Sequence, residues 1–231
     1  TTHDHFDVII GDLFHPGRDG AGMLYTLEHF QAIRGRLTPG GLFCQWLPLY
    51  QLDGEMVRVI VRTFLEAFPH TRGFLSQFNV EAPMLGLIGS DHDLAYPPDW
   101  FSKRVTDSRL AEALDELAMT DGYRLFGCLL AGGDELKRYS NGADINTDDR
   151  PIVLFDAPRF AYIEHNSTPW GRFQELIDRF RPDLNGLIAG DTASPALSDE
   201  FTRRVAAFIA ARNTYLHALI DQDQGRIDAM I

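Results

Sequence analysis

A carboxylate and an imidazole stand three residues apart in the stretch Phe6-Asp7-Val8-Ile9-Ile10-Gly11-Asp12-Leu13-Phe14-His15-Pro16. The short β-branched run, bounded by Gly-Asp and then Pro-Gly, reads as a strand covered on both faces. Asp12 and His15 then fall just past its carboxyl end, the edge where open α/β sheets hold their ligands. A pair placed there could move a proton or orient a nucleophile. The plainer alternative is that Asp12 caps a turn and His15 packs in a loop. Other chemistries have less support. His3, Asp4, His5, Asp7 and His15 are metal-ligand types, but their spacing fits no helix or turn motif, so no metal is expected. Ser76 and Ser90 lie outside any G-x-S-x-G elbow. The two cysteines offer no thiol mechanism beyond a bare nucleophile at Cys44.

The elements that would position these groups follow from hydrophobic periodicity. Leu24, Leu27, Phe30, Ile33 and Leu37 recur at helical spacing, with Thr26 as cap and Pro39-Gly40-Gly41 as stop. Residues 41–47 form a second apolar strand, and a helix follows from about Asp53 to Ala67. Strand, helix, strand, helix is a parallel α/β pattern. The strands expected over 71–78 and 84–89 are joined too tightly for a crossover helix, so they should pair antiparallel. Helical patterning follows over 98–139. A loop, Asn146-Thr147-Asp148-Asp149-Arg150-Pro151, then leads into a strand-like run over 152–155. Thr147, Asp148 and Asp149 read as turn chemistry. Helices are expected over 170–180 and 199–221, separated by a Pro, Gly and Ser-rich stretch. Phe201, Val205, Phe208 and Ile209 should pack onto the earlier part of the chain. A boundary near 160 separates a main domain, 1–159, from a helical extension, 160–231. Gln45 and Tyr50, at the end of the second strand, share the sheet edge with Asp12 and are candidates for lining a substrate pocket.

Composition narrows the partners. The 231 residues carry 21 Lys and Arg against 33 Asp and Glu, a net charge of -12. Such a balance disfavours nucleic acid and anionic membranes, and no basic patch offsets it. Two distant cysteines argue for a reducing compartment, and so for a cytoplasmic segment. No apolar stretch approaches the ~18 residues of a membrane span. The absence of an initiator methionine and the immediate entry into a strand suggest a piece of something longer.

In its motifs the chain resembles the spermidine synthase (polyamine aminopropyltransferase) family. The motifs are Asp-Val-Ile-Ile-x-Asp-x-x-x-Pro over 7–16, Leu24-Tyr25-Thr26-Leu27-Glu28-His29-Phe30, and Leu37-Thr38-Pro39-Gly40-Gly41-Leu42-Phe43-Cys44-Gln45. In Asp12 to Pro16, Gln45 to Tyr50 and Asn146 to Pro151 it looks like the spermidine-synthase-like branch often fused to membrane-spanning segments, so the full-length protein is compatible with a membrane tether. The resemblance implies the carboxyl-terminal half of a class I methyltransferase-like (Rossmann-like) sheet, ending in an antiparallel hairpin and followed by the helical extension. It implies aminopropyl transfer from decarboxylated S-adenosylmethionine to a di- or polyamine, with Asp12 as base and His15, Gln45 and Tyr50 near the acceptor. The family usually has a second acid where this chain has His15. An imidazole cannot supply the fixed negative charge that attracts an ammonium group. The glycine-rich turn and acidic residue that hold the nucleoside are not among these residues, so the piece alone should be inactive and bind no cofactor tightly. Two alternatives use the same fold: a non-catalytic nucleoside- or polyamine-sensing module, and an S-adenosylmethionine-dependent methyltransferase. The expected partner is a small-molecule amine, and self-association is compatible with the sequence.

Overall fold

The computed structural model describes residues 4–12, 15–18, 20–76, 78–97, 99–106, 108–163, 170–184, 186–187 and 195–226. The architecture is mixed α/β. By their internal contacts the residues form two compact units, one of Thr1–Asp93 with Leu130–Arg181, the other of Leu94–Leu129 with Pro182–Ile231. Each unit therefore joins two separated stretches of chain, whereas the sequence suggested a single cut near 160.

A five-stranded sheet organises the first unit. Its strands are β1 (Phe6–Gly11), β2 (Leu37–Pro48), β3 (His70–Leu75), β4 (Met84–Ser90) and β5 (Leu129–Ala131), in spatial order β1-β2-β4-β3-β5. β1 and β2 are parallel, with Gly11 opposite Gln45. β4 runs antiparallel to both β2 and β3, as the short connection after β3 requires. The expected hairpin is therefore present, with β4 inserted between β2 and β3.

One face of the sheet is covered by α1 (Leu27–Arg34) and α2 (Gly54–Ala67). Thr26 caps α1 by accepting from His29 N, and Asp53 caps α2 by accepting from Met56 N at 2.7 Å. Phe30, Phe43, Phe64 and Phe68 meet on that face with ring centroids 5.0–6.0 Å apart, all fully buried. Such contacts add to the area term of burial.

Several sequence expectations change here. β1 is not covered on both faces: Phe6, Val8 and Ile10 are 41%, 54% and 62% exposed. The three alternate along the strand and so share one face, which is left open at the sheet's rim, where β2 lies on one side and no described strand on the other. The Leu24 to Leu37 periodicity splits, because Leu24 lies in a short 3-10 turn and Leu37 already belongs to β2. Pro39-Gly40-Gly41 sits within β2, where the register to β1 shifts and Gly40 takes a left-handed φ of 74°. The run at 152–155 is helical, opening α7 (Ile152–Ile163). Pro151 precedes its first turn and Asn146 Oδ1 accepts from Val153 N, as a cap would. A short apolar run does not by itself distinguish strand from buried helix. α6 (Gly133–Ser140) and α8 (Trp170–Arg179) complete this unit.

The second unit is helical: α3 (Trp100–Arg104), α4 (Ser108–Glu116), α5 (Gly122–Gly127) and α9 (Pro195–Asp223). Within the stretch 98–139 expected to be helical, α5 ends at Gly127 and gives way to β5. On α9, Phe201, Val205, Ile209, Arg212, Leu216 and Ile220 are buried, steps of three and four that place them on one stripe. Phe201 meets Tyr123 and Phe126 of α5 at 5.1 and 5.7 Å. Among the described residues no helix is long and apolar enough to cross a membrane.

Candidate functional site

The carboxyl end of β1 and the end of β2 lie side by side because the two strands are parallel and in register there. Gly11 leaves room here for the end of the Gln45 side chain. A Cβ on it would stand 2.6 Å from Gln45 Oε1, well inside van der Waals contact. Gln45 is fully buried, and its Nε2 donates to Trp46 O at 3.1 Å. Its Oε1 is buried without a hydrogen-bond partner among the described residues. Asp12 follows immediately and is exposed.

Beyond Asp12 the chain turns back over α7. His15 O accepts from Arg18 N at 3.0 Å, closing a turn through Pro16 and Gly17. Gly17 and Gly22 let this loop approach the helix. A Cβ on Gly17 would lie 3.2 Å from Ala161 Cβ, and one on Gly22 would lie 2.4 Å from Leu154 Cα. After β2 a 3-10 turn, Leu49–Gln51, is anchored by Leu49 N donating to Pro83 O. It brings Gln51 Nε2 within 2.6 Å of His15 Nδ1. As that carboxamide is oriented, Nε2–H donates to Nδ1, so the proton of a neutral ring is on its other nitrogen.

These turns and α7 border an open cavity of about 360 Å³, lined by His15, Arg18, Tyr50, Gln51, Phe160 and Ala161, with Gly17 at its wall. A second cavity of about 320 Å³ shares Phe160 and is lined by Asp53, Glu55, Asp156 and Arg159 beside Met56 and Ile152. The carboxylates in the second cavity are engaged: Asp53 with Met56 N, Glu55 with Arg58, Asp156 with Arg159.

Of the four residues singled out in the sequence, His15 and Tyr50 are brought together. Asp12 lies at the strand end three residues before His15, and Gln45 is buried behind Gly11 rather than lining the cavity. Thr147 and Arg150 close a turn on each other, Asp148 N donates to Glu28 Oε2, and Arg150 pairs with Asp144. His3 lies outside the described residues, and no group of three metal-ligand side chains occurs among those described. Arg18, Gln51 and Phe160 were not singled out. Gln51 was within reach, as the neighbour of Tyr50 at a strand end. Phe160 required knowing that α7 packs under the loop after β1.

No protein-family model matches the chain. Among curated proteins, it is 30% identical over 156 residues to polyamine aminopropyltransferase 2 of Hyperthermus butylicus, covering 66% of this chain and 50% of that protein. The chain spans about half the length of this relative. The agreement covers much of the α/β chain and supports a distant relationship to the polyamine aminopropyltransferases.

Proposed function

We propose that this chain is the acceptor-side part of a class I methyltransferase-like aminopropyltransferase, acting in a longer protein whose nucleoside-gripping residues lie outside it. The observation that carries the reading is Asp12 at the carboxyl end of a parallel strand, three residues before the His15 and Tyr50 cavity, in a chain distantly related to a polyamine aminopropyltransferase. Two parallel strands followed by an antiparallel hairpin, and a β1 with apolar residues exposed at the sheet's rim, are in keeping with it.

The reaction joins an amine nitrogen to the propyl carbon next to the sulfonium of decarboxylated S-adenosylmethionine. The carbon–sulfur bond breaks, methylthioadenosine leaves with the electron pair, and one proton leaves the nitrogen. An ammonium has no lone pair, so a base must first take a proton. In this reading Asp12 is that base, and holding the amine there adds positioning to base catalysis. Gln45 packs against Gly11 at the strand end that leads to Asp12. Binding needs no metal in this scheme.

The test measures methylthioadenosine release by the full-length protein with putrescine and other amines, beside Asp12→Asn. Turnover that falls by about 10²-fold or more in the variant is the expected result. Equal turnover in both removes Asp12 from the mechanism. A second reading, a non-catalytic sensor on the same fold, draws on the exposure of Asp12, since a proton acceptor gains from seclusion. Silence with every amine, together with a saturable thermal shift by methylthioadenosine, selects it.

A further inference from the structure

The cavity lined by His15 and Tyr50 has the wrong polarity for an ammonium group. Its polar lining is a guanidinium, an imidazole, a phenol and a carboxamide, from Arg18, His15, Tyr50 and Gln51, and among the described residues neither Asp nor Glu lines it. Arg18 forms no ion pair among the described residues, in a chain whose net charge is -12. His15 is already engaged at Nδ1 by Gln51 Nε2 at 2.6 Å, which leaves an N–H on the free edge of its ring. Each of these side chains can donate a hydrogen bond, and one carries a permanent positive charge in a fork that matches a carboxylate. The acidic cavity across Phe160 has the opposite lining, but its carboxylates already hold Met56 N, Arg58 and Arg159.

We propose that the cavity formed by His15, Arg18, Tyr50 and Gln51 binds a carboxylate. The inference rests on the aminopropyl-transfer reading for the reaction served, and it deepens that reading by naming the substrate class: an amine that bears a carboxylate, with its nitrogen presented to Asp12 and its anionic end seated in the cavity. The same chemistry would also receive the carboxylate of S-adenosylmethionine itself, if the sulfonium donor is the intact one. Gln51 acts through His15, as a positioning residue that selects the ring tautomer.

The experiment measures binding directly and so does not depend on turnover. The full chain is titrated with 4-aminobutyrate and, separately, with putrescine, a diamine with the same four-carbon spacing, and the His15 ring resonances are followed by NMR. The expected result is saturable binding of 4-aminobutyrate at least tenfold tighter than putrescine, weakened about tenfold by Arg18→Gln and partly restored by Arg18→Lys. Arg18 is exposed, so both variants should keep the fold. In a parallel arm, the full-length protein is titrated with S-adenosylmethionine and with its decarboxylated form. A preference for the intact form that disappears in Arg18→Gln keeps the cavity as a carboxylate site but assigns that carboxylate to the donor, and overturns both the carboxylated amine and transfer from the decarboxylated donor. Putrescine binding as tightly as 4-aminobutyrate, with the two donors equal and Arg18→Gln without effect, overturns it. So does the absence of binding by all four probes. Loss of methylthioadenosine release in Asp12→Asn would leave the transfer reading standing even then.

Discussion

Gln45 Oε1 occupies the space that a side chain on Gly11 would fill, 2.6 Å from where its Cβ would be. The two residues face each other across the parallel β1–β2 pair, and the next residue is Asp12. A Cβ at residue 11 would have to displace the end of the fully buried Gln45 side chain, so the strand end that leads to Asp12 and the Gln45 rotamer are coupled. Gly11→Ala should lower stability by about 1–3 kcal/mol through overpacking. Gln45→Ala in the same chain should recover part of that loss. Urea unfolding of the two single variants and the double variant measures the coupling, and additive effects would show that the contact is not the cause.

The aromatic cluster over the sheet makes a second steric prediction. A Cβ on Gly89 would lie 2.6 Å from Phe68 Cβ and 2.7 Å from Phe64 Cε1. Gly89→Ala should therefore cost about 1–3 kcal/mol, and Phe43→Ala about 3–5 kcal/mol through the cavity it leaves. Thermal or urea unfolding reads both. Gly54→Ala is the control, since nothing lies within 4 Å of a Cβ there.

Asn146 connects three parts of the first unit. Its N–H donates to Thr63 Oγ1, its carbonyl accepts from Leu27 N, and its side-chain oxygen accepts from Val153 N at the start of α7. Asn146→Ala leaves a buried N–H without its acceptor and should destabilise by about 1–3 kcal/mol. Asn146→Ser, which keeps a capping oxygen without burying a charge, should lose less. Amide exchange over the first turn of α7 would report the difference, and equal exchange in both variants would count against this role.

In the second unit, Arg212 is buried and donates to Gly127 O at 2.7 Å and Leu129 O at 2.8 Å. Arg212→Met retains much of the volume but abandons two carbonyls. The expected loss is about 2–4 kcal/mol by urea unfolding, from unsatisfied acceptors. A change under about 0.5 kcal/mol would mean that water replaces the guanidinium.

Alkaline pH should weaken the fold in part through Cys128. Burial pushes its thiol up to about 11. The folded chain keeps this proton while the unfolded chain begins to release it near pH 8.5. The unfolded state then binds fewer protons, so stability falls as pH rises between about 8.5 and 11. Cys128→Ala should remove roughly 2–3 kcal/mol of that slope when the unfolding free energy is compared at the two ends of the window. An unchanged pH profile would contradict it.

The amino-acid sequence alone determined the strands around Phe6–Gly11 and residues 41–47, the capped helix after Asp53, and the antiparallel hairpin. Each is written in a local repeat, a cap or a short connection, read together with the turn residues that bound it. It also placed His15 and Tyr50 at neighbouring strand ends, because parallel strands bring their carboxyl ends to one edge. Tertiary structure decided what covers what. The apolar run of β1 has the composition of a central strand yet lies exposed at the rim, since periodicity records hydrophobicity and not the partner that buries it. The run at 152–155 became helix because Asn146 and Pro151 start one there. The cavity was hidden for the same reason: Arg18, Gln51 and Phe160 come from two turns and a helix far apart in the chain, and only long-range packing, which no local pattern encodes, sets them around one space.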